Sequence, residues 1–258
     1  MIPLSDDNPT IRTPIVTIVI LVLLALVWLF VQRGGFDDYA LVASICNLGM
    51  VPGEITKLAA IGSGVRISET IACVIDAEPV NRITPITSMF LHGGWGHLLG
   101  NALFLWVFGN NVEDSMGRVR FPLFYLLCGL AAAAAHVLLN ARSPIPTVGA
   151  SGAISGVLGA YLVLYPRVKV KMLFIFIIFF KVIPVQAWLV LVFWFGWQVL
   201  TGLPELMQVE REVSGGVAVW AHVGGFLAGV LLVKLFENRS LVRRRTALGD
   251  ARAVFKEA

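Results

Sequence analysis

A serine and a histidine stand in two small-residue segments whose composition suits hydrolytic chemistry. Ser151 opens one apolar run, and His222 lies at the start of another. A hydroxyl and an imidazole that meet away from bulk water are the minimum for an activated serine nucleophile with a histidine base. A helix beginning at Ser151 would also turn free backbone N–H groups toward an anion forming there. Ser151 and His222 are therefore the candidate catalytic residues.

Four glycines accompany these candidates at helical spacing, in the pairs Gly152/Gly156 and Gly225/Gly229. Small residues four apart allow membrane helices to approach closely, and a shared seam would bring the serine to the histidine. The same pattern admits a plainer interpretation. In it the serine only lines a packing seam, and the histidine is a satisfied core residue.

A third segment carries side chains suited to stabilising an oxyanion. His97 and Asn101 lie at positions i and i+4, so they share a helix face. One well-aimed donor of this kind contributes about 3–4 kcal/mol in acyl transfer. No metal or other cofactor is predicted, because His92 and His97 lack the HExxH spacing and a convergent carboxylate. No Asp or Glu falls within a predicted span, which favours a Ser–His dyad over a triad.

The composition is that of a membrane protein. The chain is 57% hydrophobic and 14% charged, whereas soluble domains carry roughly 45–50% apolar and about 25% charged residues. The net charge of +4 does not predict a nucleic-acid partner, because the basic residues flank apolar runs instead of lining one surface.

Six apolar runs predict six spans, at residues 15–31, 94–108, 121–139, 151–165, 185–200 and 217–236. The fourth would reach only ~22 Å at about 1.5 Å per residue. That is short of the ~30 Å hydrocarbon core, so one of its ends should lie below the membrane surface. Between the spans, we expect a tight charged loop at 113–118 and an interfacial connector at 168–181.

The distribution of charge predicts which side each loop faces. Basic flanks mark the cytoplasmic side, and an even number of spans puts both termini there. The predicted organisation is a short cytoplasmic N-terminus (1–14), a six-helix membrane domain (15–239) with an outer loop (32–87), and a basic cytoplasmic tail (240–258). Cys46 and Cys73 share the outer loop and would pair in an oxidising compartment; the sequence leaves that pairing open.

Together the three segments resemble the rhomboid family of intramembrane serine proteases. The ordered set H-x4-H-x3-N, G-x-S-G and A-H-x2-G-x3-G carries the resemblance, and the stretch from about Thr84 to Leu235 looks like bacterial rhomboids. The resemblance implies an all-α, polytopic six-helix bundle in a bacterial inner membrane, with a water-filled cavity open to the outer side. Ser151 would be the nucleophile and His222 the general base.

The resemblance also implies further roles and a substrate class. His97, Asn101 and the Ser151 amide would bind the oxyanion, while His92 and Gly149 would line the cavity. Substrates would be single-span membrane proteins that enter past the fifth helix. Relatives often place an aromatic residue four positions after the serine to support the histidine. This chain has Ser155 there, so the support of the histidine is left without an explanation.

Two other functions fit parts of the pattern. A catalytically inactive relative would bind membrane clients without cutting them, but such relatives typically lose the serine or the histidine, and this chain keeps both. A transporter or channel would show paired broken helices or internal symmetry, which the sequence lacks. Neither the oligomeric state nor the physiological substrate is predicted.

Overall fold

The computed structural model describes residues 2–66, 71–176, 179–206 and 218–243. Most of these residues are helical. The helices are α1 (Ile15–Leu26), α2 (Asp38–Leu48), α3 (Pro52–Thr56), α4 (Thr84–Thr87), α5 (Trp95–Phe104), α6 (Asn110–Met116), α7 (Arg120–Leu139), α8 (Ser151–Leu164), α9 (Ala187–Leu206) and α10 (Val219–Phe236). The strands are β1 (Ile2–Asp6), β2 (Gly64–Arg66), β3 (Ala72–Val74), β4 (Lys169–Phe176) and β5 (Phe179–Gln186).

Helix α8 is the centre of the bundle. It packs between α7 and α10, and its residues from Gly152 to Tyr161 are all buried. An apolar helix buried on every side needs small residues wherever a neighbouring backbone comes close. This arrangement fixes the first turn of α8 inside the protein.

Two of the described helices, α7 and α10, are long and apolar enough to cross a membrane on length and composition alone. Other apolar helices are shorter, namely Ile15–Val31, Asp38–Leu48, Ser151–Leu164 and Ala187–Leu203. The predicted start of α8 at Ser151 is confirmed. The count of six spans stays a prediction.

The prediction of an all-α fold is wrong for the connector at 168–181. There β4 and β5 form an antiparallel hairpin, and β1 pairs with the other edge of β4 through Ile2↔Leu173 and Asp6↔Val170. Along β4, exposed Lys169 and Lys171 alternate with buried Val170, the two-residue period of a strand with one covered face.

The predicted charged loop at 113–118 is also wrong, because the helix continues through a π-helical turn into α6 and ends at Met116. The Glu113 carboxylate accepts hydrogen bonds from the backbone N–H groups of Val16 and Thr17, at 3.0 and 2.8 Å, in the first turn of α1. A carboxylate at a helix N-terminus satisfies free donors and complements the helix dipole. The N-terminus of α1, which is distant in the sequence, thus offsets the free-energy cost of burying the Glu113 carboxylate.

The predicted outer loop (32–87) contains short helices and strands that a disulfide joins. Cys46, on α2, is bonded to Cys73, on β3, which answers the question that the sequence left open. Other parts of the predicted organisation lie outside the described residues: the first residue of the sixth span at 217, residues 207–216 between the fifth and sixth spans, and the tail from 244 onward.

Candidate functional site

The first turns of α8 and α10 bring Ser151 and His222 together. The Ser151 Oγ lies 2.7 Å from His222 Nε2, within hydrogen-bond distance. His222 is buried, with 7% of its surface exposed, whereas Ser151 is only partly buried. This is the distance that proton transfer from a serine hydroxyl to an imidazole requires.

The glycine pairs explain how the two helices come so close. A Cβ added to Gly225 would lie 2.0 Å from the Gly152 carbonyl oxygen, and one added to Gly229 would lie 1.9 Å from that of Gly156. No side chain fits at either position. The backbones of α8 and α10 are therefore in direct contact below the Ser151–His222 pair.

Gly149 shapes the turn that leads into α8. Its φ of +128° lies in the region that favours glycine. A Cβ there would lie 2.7 Å from the His97 ring and 3.6 Å from the Ser151 Oγ. The absence of a side chain at Gly149 leaves room for both the imidazole of His97 and the hydroxyl of Ser151 beside this turn.

His97 presents a hydrogen-bond donor to this turn. Its Nδ1 accepts from the backbone N–H of Gly93 at 3.4 Å, so in the neutral ring the proton is carried by Nε2. That Nε2 is one of the atoms that flank Gly149. The ring of His92 lies 5.2 Å away, edge to face.

Two buried side chains in this region have polar atoms without protein partners. The Nδ2 of Asn101 and both ring nitrogens of His92 make no hydrogen bond among the described residues. Buried polar groups are normally satisfied, so such atoms suit groups that act on a ligand, a reacting oxygen or water. Asn101 lies one turn after His97 on α5.

The backbone of His92 is clamped by Gln32, a residue to which the sequence assigned no role. The Gln32 amide donates to the His92 carbonyl oxygen and accepts from the His92 N–H, both at 2.8 Å. Gln32 is fully buried at the end of the first helix. This reciprocal pair fixes the segment that precedes α5.

His222 is supported by α9. Its Nδ1 lies 2.9 Å from Gln198 Oε1, and the ring of Trp194 lies 5.8 Å from the imidazole, tilted by 37°. Ser155 does not contact the imidazole through its hydroxyl, which donates to the Ser151 carbonyl oxygen at 2.6 Å. Gln198 and Trp194 were missed from the sequence, although a glutamine inside an apolar span is itself a signal.

The chain is similar to known rhomboid proteins. The rhomboid domain model matches residues 81–239, which is more than half of the chain. Rhomboid protease GluP of Bacillus subtilis is 46% identical over 77 residues, covering 30% of this chain and 15% of that protein. Mitochondrial rhomboid protein 1 of Saccharomyces cerevisiae is 31% identical over 161 residues, covering 58% of this chain and 41% of that protein.

Chloroplastic rhomboid-like protein 11 of Arabidopsis thaliana is 31% identical over 162 residues, which cover 59% of this chain and 52% of that protein. In each of these three comparisons the aligned region spans about half or less of the relative's own length. The likeness thus concerns a shared membrane domain, and the relatives carry further sequence beyond it.

Proposed function

The chain belongs to the rhomboid family, a membrane-embedded family whose characterised members are serine proteases, and from that premise we propose that it is an intramembrane serine endopeptidase. The observation that carries the proposal is the hydrogen bond between Ser151 Oγ and His222 Nε2. A relative that only binds membrane proteins does not require a serine hydroxyl and an imidazole at the distance needed for proton transfer. The pair therefore favours cutting over binding alone.

In the proposed reaction, Ser151 Oγ attacks the carbonyl carbon of a substrate peptide bond while His222 Nε2 takes its proton. The resulting tetrahedral oxyanion accepts hydrogen bonds from Asn101 Nδ2, His97 Nε2 and the Ser151 backbone N–H. Its collapse breaks the C–N bond, and His222 returns the proton to the leaving amine. Water then hydrolyses the acyl ester on Ser151, with His222 again acting as base.

The substrate class follows from the family, which acts on membrane proteins within the bilayer. We propose single-span proteins as substrates, cut in or near their transmembrane segment. The partly buried Ser151 and the small residues of its turn leave room for an unwound substrate backbone. Catalysis by these residues requires no cofactor.

A fluorophosphonate probe tests the proposed function directly. The probe should label the purified wild-type protein in detergent micelles, with the adduct on Ser151 by peptide mass spectrometry. The same preparation should cut a reporter protein that carries one transmembrane segment. Absence of both labelling and cutting from folded protein would contradict the proposal.

Asn101→Ala is expected to lower kcat by about 10²- to 10³-fold, because one oxyanion donor is lost. KM should change little, since the donor acts on charge that develops only in the transition state. Steady-state kinetics on the reporter protein measure both constants. Leu99→Ala is the matched control, because Leu99 lies on the same helix and is exposed. Equal kcat values for Asn101→Ala and wild type would contradict the oxyanion role.

We further propose six spans, with both termini in the cytoplasm and the outer loop (32–87) in an oxidising compartment, as in a bacterial inner membrane. Two features support this topology. The Cys46–Cys73 disulfide lies in the outer loop, and disulfides persist in oxidising compartments. The pairing of β1 with β4 keeps both strands on one side, which requires an even number of crossings between them. Helix α1, the α5–α6 helix, α7 and α8 provide four.

Single cysteines test this orientation. The native cysteines should not react with the reagent, since two are disulfide-bonded and Cys128 is buried. In intact cells a cysteine at Gly62 should react with a membrane-impermeant maleimide, and one at Ser240 should react only after permeabilisation. The opposite labelling pattern would reverse the proposed topology.

A further inference from the structure

The candidate base is held in place by a neighbouring helix. Gln198 and Trp194 lie four residues apart on α9, so they share one face of that helix, and both contact His222. The residue at the usual supporting position, Ser155, bonds instead to the backbone of its own helix. Helix α9 therefore supplies the side chains that support His222, a role that Ser155 on α8 does not perform.

For His222 to act as a base, its Nδ1 must carry a hydrogen and therefore needs a hydrogen-bond acceptor. To accept a proton from Ser151, Nε2 must be bare in the neutral ring, and Nδ1 must then carry the hydrogen. A buried N–H without an acceptor is costly. Gln198 Oε1, at 2.9 Å from Nδ1, is placed to accept that hydrogen bond.

We propose that Gln198 is a positioning residue that fixes the tautomer and the orientation of His222, which makes the site a Ser151–His222–Gln198 triad with a neutral third member. The assignment rests on the proposed function. It revises the expected dyad, because the third group of a triad need not be an acid to accept from Nδ1. Its contribution acts through His222 and not on the substrate.

A neutral acceptor suits this location. Among the described residues, His222 takes part in no ion pair, and the side chains that hydrogen-bond to it, those of Ser151 and Gln198, are both neutral. A carboxylate at position 198 would be an extra charge inside the membrane domain, where unpaired charges are expensive. An amide oxygen still stabilises the N–H of the imidazolium that forms during the reaction, without charge in the resting enzyme.

Gln198→Leu removes the acceptor at similar side-chain volume. With the purified full-length protein and the reporter, kcat should fall about ten- to a hundredfold while KM stays close to wild type. Gln198→Glu keeps an oxygen acceptor at the same chain length and should recover kcat relative to Gln198→Leu, although its added charge should lower the melting temperature. Leu200→Ala, an exposed position on the same helix, is the control for general disturbance of α9 and should retain wild-type kcat.

A spectroscopic measurement separates positioning from simple packing. In ¹⁵N-histidine-labelled protein carrying Ser151→Ala, the resonances of His222 are assigned by their loss in His222→Ala. They should report Nδ1–H as the dominant neutral tautomer, and Gln198→Leu should shift the population toward Nε2–H. Cutting that depends on Ser151 and His222, with kcat and tautomer unchanged by Gln198→Leu, would overturn the positioning role and leave the proposed function standing. Absence of both cutting and probe labelling in the wild type would overturn the two together.

Discussion

Replacement of Ser151 by alanine is expected to reduce cleavage of the reporter protein by roughly 10⁴-fold or more, because no nucleophile remains to form the acyl-enzyme. His222→Ala should cost a similar factor, since the hydroxyl at 2.7 Å then has no base. The two residues act as one unit, so the double variant should be no slower than either single variant. Initial rates over a wide range of enzyme concentration measure the loss.

Ser155→Ala is the matched control for this pair. It also removes one hydroxyl from α8, one turn further on, but that hydroxyl bonds only to the Ser151 carbonyl oxygen among the described contacts. Its rate should stay within about tenfold of wild type, the factor that one ordinary hydrogen bond explains. Robust cutting by folded Ser151→Ala would remove the serine from the mechanism.

A second large effect is expected on stability at the contact between α8 and α10. Gly229→Ala would put a methyl group 1.9 Å from the Gly156 carbonyl oxygen, and backbone cannot swing aside as a flexible side chain can. The helices must separate, at a cost of about 3 kcal/mol. For a chain of this size that corresponds to a fall in Tm of about 10 °C.

Cys128 offers a built-in reporter for this measurement. It is the one free thiol among the described residues, it is buried, and it lies against Gly156, so a thiol-reactive dye will respond when the bundle opens. Gly196→Ala is the control, because a Cβ at Gly196 meets nothing within 4 Å. That variant should gain up to ~1 kcal/mol from helix propensity. Equal melting temperatures for the two variants would refute the close-contact account.

The sequence predicts what depends on local pattern. The start of α8 follows from the small residues around Ser151 and from Pro144 and Pro146, which stop a helix in the loop before it, and the membrane character follows from composition. The seam glycines could be chosen because their spacing repeats on two helices. Their contact in the structure brings Ser151 and His222 together as expected.

Features that depend on contacts between residues distant in the sequence cannot be predicted from local pattern. Glu113 looks like a loop residue until the N-terminus of α1 is placed beside it. Apolarity alone does not reveal the hairpin, although the alternation of exposed Lys169 and Lys171 with buried Val170 has the two-residue period of a strand. Gln198 is meaningful only once α9 and α10 are known to be neighbours.

The pairing of β1 with β4 sets an order of events during synthesis. Residues 2–6 are synthesised well before their partners at 170–173, which follow only after α1, α5, α7 and α8 have been made. At about 5–20 residues per second, the first strand waits roughly ten to thirty seconds. In the proposed topology, β1 stays on the cytoplasmic side without its partner strand throughout that interval. This small sheet can therefore close only after the helix carrying Ser151 has been made, and the helices that bring Gln198 and His222 come later in the chain.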